Sequence, residues 1–306
     1  MSGYRPEVPL HRPVPIGALP VSVHPTASLF RREAPTAEEL AAFHRDGFLA
    51  IQDIFTDAGR EGLIEEILHH EPVQAFLNEA YNPERAPDAP LAYFVRPWND
   101  RSYWSDQLLD APLVVSLLRA TIGEDYHFCH SALNVALRGI GPVRFHQDHH
   151  HWFHSNPVNL AERERGYIQI LYYPNGFTRG DRSLTVIPGS HRVSPNPEAT
   201  PERLLAGDFN AEAGRELAAE YLELPPGSLV YLNARTFHAV EPKPLDSSQP
   251  YRLFVIDIFK QAGPPHRYTQ EIPPEWMESA SPARKRMFDR EPFIPECWTP
   301  REAPGE

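Results

Sequence analysis

Cysteine is scarce in this chain. Its 306 residues hold two, Cys129 and Cys297, which exclude a disulfide framework and fit a reducing cytoplasm. Positive charge is also in deficit. Lys and Arg number 29 against 41 Asp and Glu, a formal charge of −12, which argues against a general binder of phosphate backbones. No stretch approaches the roughly 18 uninterrupted apolar residues of a membrane-spanning helix. Met1 to Pro20, broken by prolines and charges, lacks the apolar core of a signal peptide. There is no internal repeat. What is present is a chain that is 41% hydrophobic, enough for the core of one large domain or two small ones. The acidic surface suits a cationic small substrate but is equally the surface of an ordinary soluble protein.

Proline runs the other way, with 34 residues against an average of about 5%. Many lie in Pro6–Pro25 and Pro264–Pro304. The expected organisation is therefore a proline-rich arm over 1–35, a single body over 36–262 and a proline-rich extension over 263–306. The two ends are expected to be extended on the body or partly disordered.

Within the body, Thr36 followed by Glu39 marks a helix start, Gly47 stops that helix, and Phe48–Ile51 reads as a strand. Leu63, Ile64, Ile67 and Leu68 give helical spacing to Thr56–His70, and a further single helix is expected over Ser105–Ile122. The front third thus reads as helical with one early strand. From Tyr126 the texture changes to short apolar or alternating runs: His127–Leu137, Arg144–His150, Tyr167–Tyr173, Leu184–Ile187, Leu229–Leu232 and Tyr251–Phe259. Gly and Pro punctuate them, the pattern of a sandwich or barrel. Ala211–Tyr221 reads as a helical excursion between strands.

The chemistry concentrates in Val143-Arg-Phe-His-Gln-Asp-His-His-His-Trp-Phe-His154. On an extended strand side chains two apart share a face, so His146 and Asp148 can address one ion. A third histidine, His238, follows 90 residues after Asp148, as a distant strand of the same barrel allows. Two imidazoles and one carboxylate leave other metal positions open, which is the facial triad of non-haem Fe(II) oxygenases. A competing reading takes His146, His150 and His154, spaced by four, as a helical zinc site. It leaves Asp148 and His238 unexplained. His149 and His151 read as a solvated loop. Arg252, inside the apolar strand Tyr251–Asp257, is costly to bury unless it meets an anion, and its planar fork suits a carboxylate.

Leu184-Thr-Val-Ile-Pro-Gly-Ser-His-Arg192 closely resembles a stretch of the phytanoyl-CoA dioxygenase-like family of Fe(II)/2-oxoglutarate oxygenases, and it lies between the His-x-Asp pair and the distal histidine as it does there. Phe43-His-Arg-Asp-Gly-Phe-Leu-Ala-Ile-Gln-Asp53 resembles that family's opening helix and strand, and Pro226-Gly-Ser-Leu-Val-Tyr-Leu232 its approach to the distal ligand. The similarity covers most of Thr36–Lys260. It implies a mainly β fold, a double-stranded β-helix (jelly roll, cupin-like) with flanking α-helices. It also implies iron on His146, Asp148 and His238, with 2-oxoglutarate and O2 as cosubstrates and Arg252 on the far carboxylate. By likeness to ectoine hydroxylase-like members, Asn134 and Trp152 join the cosubstrate site. Their longer signature after the Trp is missing here, so ectoine is not implied. His191 is expected to serve the turn rather than the metal.

The expected activity is hydroxylation of a small metabolite or natural-product intermediate, with release of succinate and CO2. The same chemistry can give epimerisation, desaturation or cyclisation. Two readings from other classes are a silent β-helix ligand binder and a zinc hydrolase using the histidine cluster. Neither nucleic acid nor membrane is an expected partner, and the oligomeric state is open. Trp98, Tyr103, Trp104 and Trp152 are candidate pocket walls for a flat or greasy substrate.

Overall fold

The computed structural model describes residues 27–82, 84–99, 101–148, 167–194, 197–261 and 270–289. Thr36 caps helix α1 (Ala37–Asp46) as the sequence predicts: its hydroxyl accepts from the Glu39 amide at 3.1 Å and the Glu39 carboxylate accepts from the Thr36 amide at 2.8 Å. Gly47 then takes φ +80, and a Cβ there would collide with His191 and Thr236. Both the turn and the close approach therefore require glycine. Strand β1 (Phe48–Ile51) follows, then α2 (Asp57–His69), α3 (Glu71–Ala80), β2 (Ala92–Val95), α4 (Tyr103–Asp110) and α5 (Pro112–Ile122).

Two expectations for this region are corrected. The single helix over Ser105–Ile122 is two helices, because Pro112 drives Ala111 out of the helical region to ψ 151. The front third also holds a second strand, β2, whose four residues fall between turns and carry no alternating pattern of burial.

The remaining strands are β3 (Tyr126–Leu137), β4 (Val143–His146), β5 (Tyr167–Tyr173), β6 (Leu184–Val186), β7 (Glu220–Tyr221), β8 (Ser228–Asn233), β9 (His238–Val240) and β10 (Tyr251–Gln261). They form a six-stranded sheet in the order β1-β8-β5-β10-β3-β2 and a four-stranded sheet in the order β4-β9-β6-β7. All pairings are antiparallel and nested: β3 with β10, β4 with β9, β5 with β8, β6 with β7. A long hairpin rolled on itself gives that nesting, and the fold is a double-stranded β-helix with helices outside. Ala211–Tyr221 is less helical than expected. Only Asn210–Ala213 is helix, stopped by Gly214 at φ +70, and Glu220–Tyr221 joins the small sheet.

Alternation divides the large sheet into two faces. Leu133, Val135, Ile168, Ile170, Tyr172, Leu253 and Val255 pack outward with the helices. Ala132, Leu171, Tyr173 and Ile256 pack inward with Leu184 and Val186 of the small sheet. Trp98, Tyr103 and Trp104 belong to the outer layer and do not line the barrel. Trp98 is buried with the helices, Trp104 packs on the same cluster, and Tyr103 donates its hydroxyl to the Ala27 carbonyl at 2.7 Å. On this outer side Asp257 and Arg101 form a buried ion pair. The helix Pro282–Phe288 docks there through Phe288, 5.8 Å from Phe128, and through Arg284, which pairs with Asp106 at 2.8 Å and Asp110 at 2.5 Å.

Candidate active site

His146 closes β4 and His238 opens β9, and the two are directly opposite in the antiparallel register. Their rings lie 4.3 Å apart, centroid to centroid. Asp148 reaches the same point by a different route from the one its spacing suggests. β4 ends at His146, so Asp148 is not two residues along a strand. It sits in a bend, its amide donating to the Ala234 carbonyl at 3.2 Å, while the Gln147 side chain donates to the Arg235 carbonyl. The β8–β9 connection therefore holds the bend that aims the carboxylate.

The result is a compact donor set. Asp148 Oδ2 is 3.2 Å from His238 Nε2 and Oδ1 is 3.6 Å from His146 Nε2. Among the described residues these three form the group able to hold a metal, with ligand atoms all within 4.8 Å of one another. The hydrogen bonds behind them fit that role. His146 Nδ1 faces the Arg144 carbonyl at 2.8 Å and His238 Nδ1 faces the Thr236 carbonyl at 3.0 Å. A carbonyl only accepts, so each Nδ1 carries the proton and each Nε2 presents its lone pair inward. Burial works against a charge on Asp148. The His238 hydrogen bond and charge, with His146 and Gln169 behind them, outweigh it and hold the carboxyl well below the usual range. Burial likewise opposes a proton on His238, but Asp148 raises it. A cation bound at that point takes the place of such a proton.

Gln169 escaped the sequence reading. It is the one amide side chain in Tyr167–Tyr173, it faces inward, and its Nε2 donates to Asp148 Oδ2 at 2.5 Å. A lone amide in an otherwise apolar strand was the available signal. His130, inward on β3, was also missed. Burial first, then the Arg96 charge, pushes its imidazole down to about 4, while Asp148 pulls the other way.

The Pro188-Gly-Ser-His191 turn acts on the metal end from behind. The Gly189 amide donates to Asp46 at 2.8 Å and Arg192 to the His44 carbonyl at 2.9 Å, which joins the turn to the end of α1. Ser190 Oγ accepts from the Phe237 amide at 2.9 Å, fixing the residue before His238. His191 is buried beside Gly47 and lies outside the donor set.

Arg252 lies at the opposite end of the barrel, on the inward face with Phe254 and Ile256, and is 2% exposed. Its guanidinium sits 5.5 Å from the Tyr173 ring and 4.9 Å from the Phe254 ring, and Nη1 donates to the Arg182 carbonyl. No carboxylate among the described residues pairs with it. Asn134 shares this inner face, opposite Phe254, but its Nδ2 is engaged by the Tyr93 carbonyl at 3.2 Å and its Oδ1 has no partner. Thr185 alternates with inward Leu184 and Val186 and so turns away from the cavity. Trp152 and the histidines at 149, 150, 151 and 154 lie outside the described residues.

The model of the phytanoyl-CoA dioxygenase (PhyH) family matches residues 43–243. The chain belongs to that family. It is therefore an oxidoreductase of the iron- and 2-oxoglutarate-dependent oxygenase class. Comparison with curated proteins by sequence gives no match. Among solved structures, the non-haem α-ketoglutarate-dependent epimerase SnoN of nogalamycin biosynthesis is similar, with a TM-score of 0.53 at 14% identity, over 74% of this chain and 82% of that one. HygX from Streptomyces hygroscopicus, with nickel and 2-oxoglutarate bound, gives 0.51 at 16% over 76% and 89%. EctD from S. alaskensis, with 2-oxoglutarate and 5-hydroxyectoine, gives 0.53 at 18% over 87% and 92%. These likenesses establish the shared fold. No helix among the described residues is long and apolar enough to cross a membrane.

Proposed function

We propose that this PhyH-family oxygenase hydroxylates a small metabolite or natural-product intermediate, converting 2-oxoglutarate to succinate and CO2. Its site is His146, Asp148 and His238 for iron and Arg252 for the far carboxylate of the cosubstrate. The observation that carries this is the pairing of two features in one barrel: a carboxylate and two inward Nε2 atoms at one end, and at the other a buried guanidinium with no carboxylate partner among the described residues. When bound, iron supplies the redox chemistry that couples O2 reduction and loss of CO2 to oxidation of the substrate.

The chain's own work is placement. The Arg144 and Thr236 carbonyls hold the two imidazoles in the ligating tautomer, and Gln169 orients Asp148. Arg252, flanked by the Tyr173 and Phe254 rings, binds the cosubstrate carboxylate away from water and so fixes which end meets the metal. Natural-product chemistry is supported by neighbours such as SnoN and by HygX with hygromycin B bound. Epimerisation or ring closure is the second reading, favoured by the epimerase SnoN and the carbocyclase SnoK. The body over 36–262 is taken as the catalytic unit. A cytoplasmic setting is supported by the two-cysteine composition.

Anaerobic addition of Fe(II) and then 2-oxoglutarate tests the class, because a chelated keto acid develops a weak visible charge-transfer band. A silent binder or a zinc hydrolase develops none. Succinate release across a metabolite panel then tests the substrate class, and products separate hydroxylation from epimerisation.

A further inference from the structure

We propose that Arg182 is a second cationic contact for the cosubstrate, so that the carboxylate remote from the keto group is held between two guanidinium groups, Arg182 and Arg252. This rests on the reading of the site as a 2-oxoglutarate enzyme. Arg182 stands in the turn before β6 with φ +59, and Asp53 is the other non-glycine residue with positive φ among those described. An L residue with a long side chain is disfavoured there. Strain of this kind persists where the surroundings impose it and clusters at ligand clamps.

The side chain does not escape to solvent from that turn. It is 5% exposed. Its Nη1 donates to the Gly141 carbonyl at 2.5 Å and the Glu241 carbonyl at 3.4 Å, and its Nε has no partner. Arg252 spends Nη1 on the Arg182 carbonyl, and its Nε has no partner either. Each guanidinium has five N–H donors, so most of both forks is unused. Burying charge in this state is costly unless an anion arrives.

Among the described residues no carboxylate forms an ion pair with either guanidinium, although Asp181 is within electrostatic reach of Arg252. Asp181 is held by Lys243 at 2.6 Å and Ser247 at 2.7 Å, and Glu241 accepts from the Gly180 amide at 2.7 Å and from Ser183 Oγ. Lys243 is itself buried, so among the described residues of this end three buried cations face two carboxylates that are already engaged. Burial first, and then the Arg252 charge, pushes the Arg182 guanidinium down to about 10. Tyr173 lies within electrostatic reach of both arginines.

The placement along the barrel suits a keto acid. β4 and β9 pair from His146↔His238 at the metal end to Val143↔Val240 at the other. Gly141 and Glu241, which hold Arg182, lie just beyond that second pair. β9 covers this interval in two residues and β4, which bulges, in three, a span of roughly 7–10 Å, the scale of a small dicarboxylic acid chelated at one end and anchored at the other.

The test uses the full-length protein loaded anaerobically with Mn(II), and reads equilibrium binding by calorimetry. The ligands are 2-oxoglutarate and 2-oxovalerate, which has the same carbon chain without the far carboxylate. Arg182→Gly removes the guanidinium and suits the positive φ, so the fold is kept. It is expected to weaken 2-oxoglutarate by at least about tenfold and to leave 2-oxovalerate unchanged. Unchanged 2-oxoglutarate affinity, or an equal loss for both ligands, overturns the proposal. If Arg252→Leu weakens 2-oxoglutarate and Arg182→Gly does not, this inference alone falls. If the unmodified protein binds no 2-oxoglutarate, the functional reading falls and takes this one with it.

Discussion

The two ends of the barrel hold charge in opposite ways. At the metal end the polar groups satisfy one another: Asp148 lies between two imidazoles, each backed by a carbonyl, and Gln169 completes its oxygens. At the other end two guanidiniums are buried with, among the described residues, most of their donors unused and no carboxylate paired with either. The first arrangement is complete as a donor set. The second is complete only when something anionic arrives. One end thus defines where a cation sits, and the other the charge and length of what lies between.

The largest expected effect breaks the metal end alone. His146→Ala, Asp148→Ala and His238→Ala should each abolish iron retention and turnover, with circular dichroism confirming that the fold is kept. Metal analysis after desalting reads this directly. Full iron content in any one variant removes that residue from the donor set. Next comes the support of that end. Gln169→Leu keeps the volume but strips Asp148 of its donor, and loss of such an outer hydrogen bond commonly costs 10- to 100-fold in metal affinity, so a fall of about that size is expected. Competition against a chelator measures it, and an unchanged constant would show that Asp148 needs no such partner.

Arg252→Leu acts on the opposite end and should leave iron affinity alone. Losing one partner of a desolvated carboxylate pair commonly costs about 2–5 kcal/mol, hence at least about a tenfold rise in the 2-oxoglutarate dissociation constant. The ligand-free protein should hold or gain stability, since a buried charge without an ion-pair partner among the described residues is gone. Calorimetry and thermal melting together check the contrast. Equal losses of iron and cosubstrate binding would mean that the two ends are not independent.

The two ends were not equally readable in the sequence. His146, Asp148 and His238 stand out because their residue types admit few other uses in that order. The reason they meet was misjudged: a bend fixed by Ala234 and Arg235, not strand alternation, aims Asp148. Arg252 was visible as a charge in an apolar strand. Arg182 was not, because nothing in Thr178-Arg-Gly-Asp-Arg-Ser183 distinguishes a buried arginine from a solvated one. Only the rolled sheet brings residue 182 to residue 252. From β3 onward the strands were found from apolar or alternating runs set between Gly and Pro turns, with the exceptions of β7 and β9, which have two and three residues and, unlike the equally short β6, no apolar run bounded by such a turn. Such short segments borrow their conformation from neighbours. The Pro112 break was readable and was passed over, since the apolar spacing continues through it.

A pair of buried histidines gives the smallest test and isolates what the partner contributes. His238 and His191 are both almost wholly buried, and burial works against a proton on each. His238 has Asp148 beside it and is raised. His191 has Arg192 and Arg235 adding to its burial and is pushed down to about 3. A histidine depressed in the folded state takes up its proton more readily in the unfolded chain. The stability it contributes is therefore full above the ordinary imidazole value of about 6.5 and is lost as pH falls toward the folded value. At pH 5 the loss relative to pH 8 is about 2 kcal/mol for this one group. His191→Leu removes the titration, so its urea midpoint should fall less between pH 8 and pH 5 than that of the parent. The comparison is between slopes, so a uniform loss from imperfect packing against Gly47 cancels. Parallel slopes would mean that His191 finds water or a carbonyl to share its proton, and that burial alone does not set its charge.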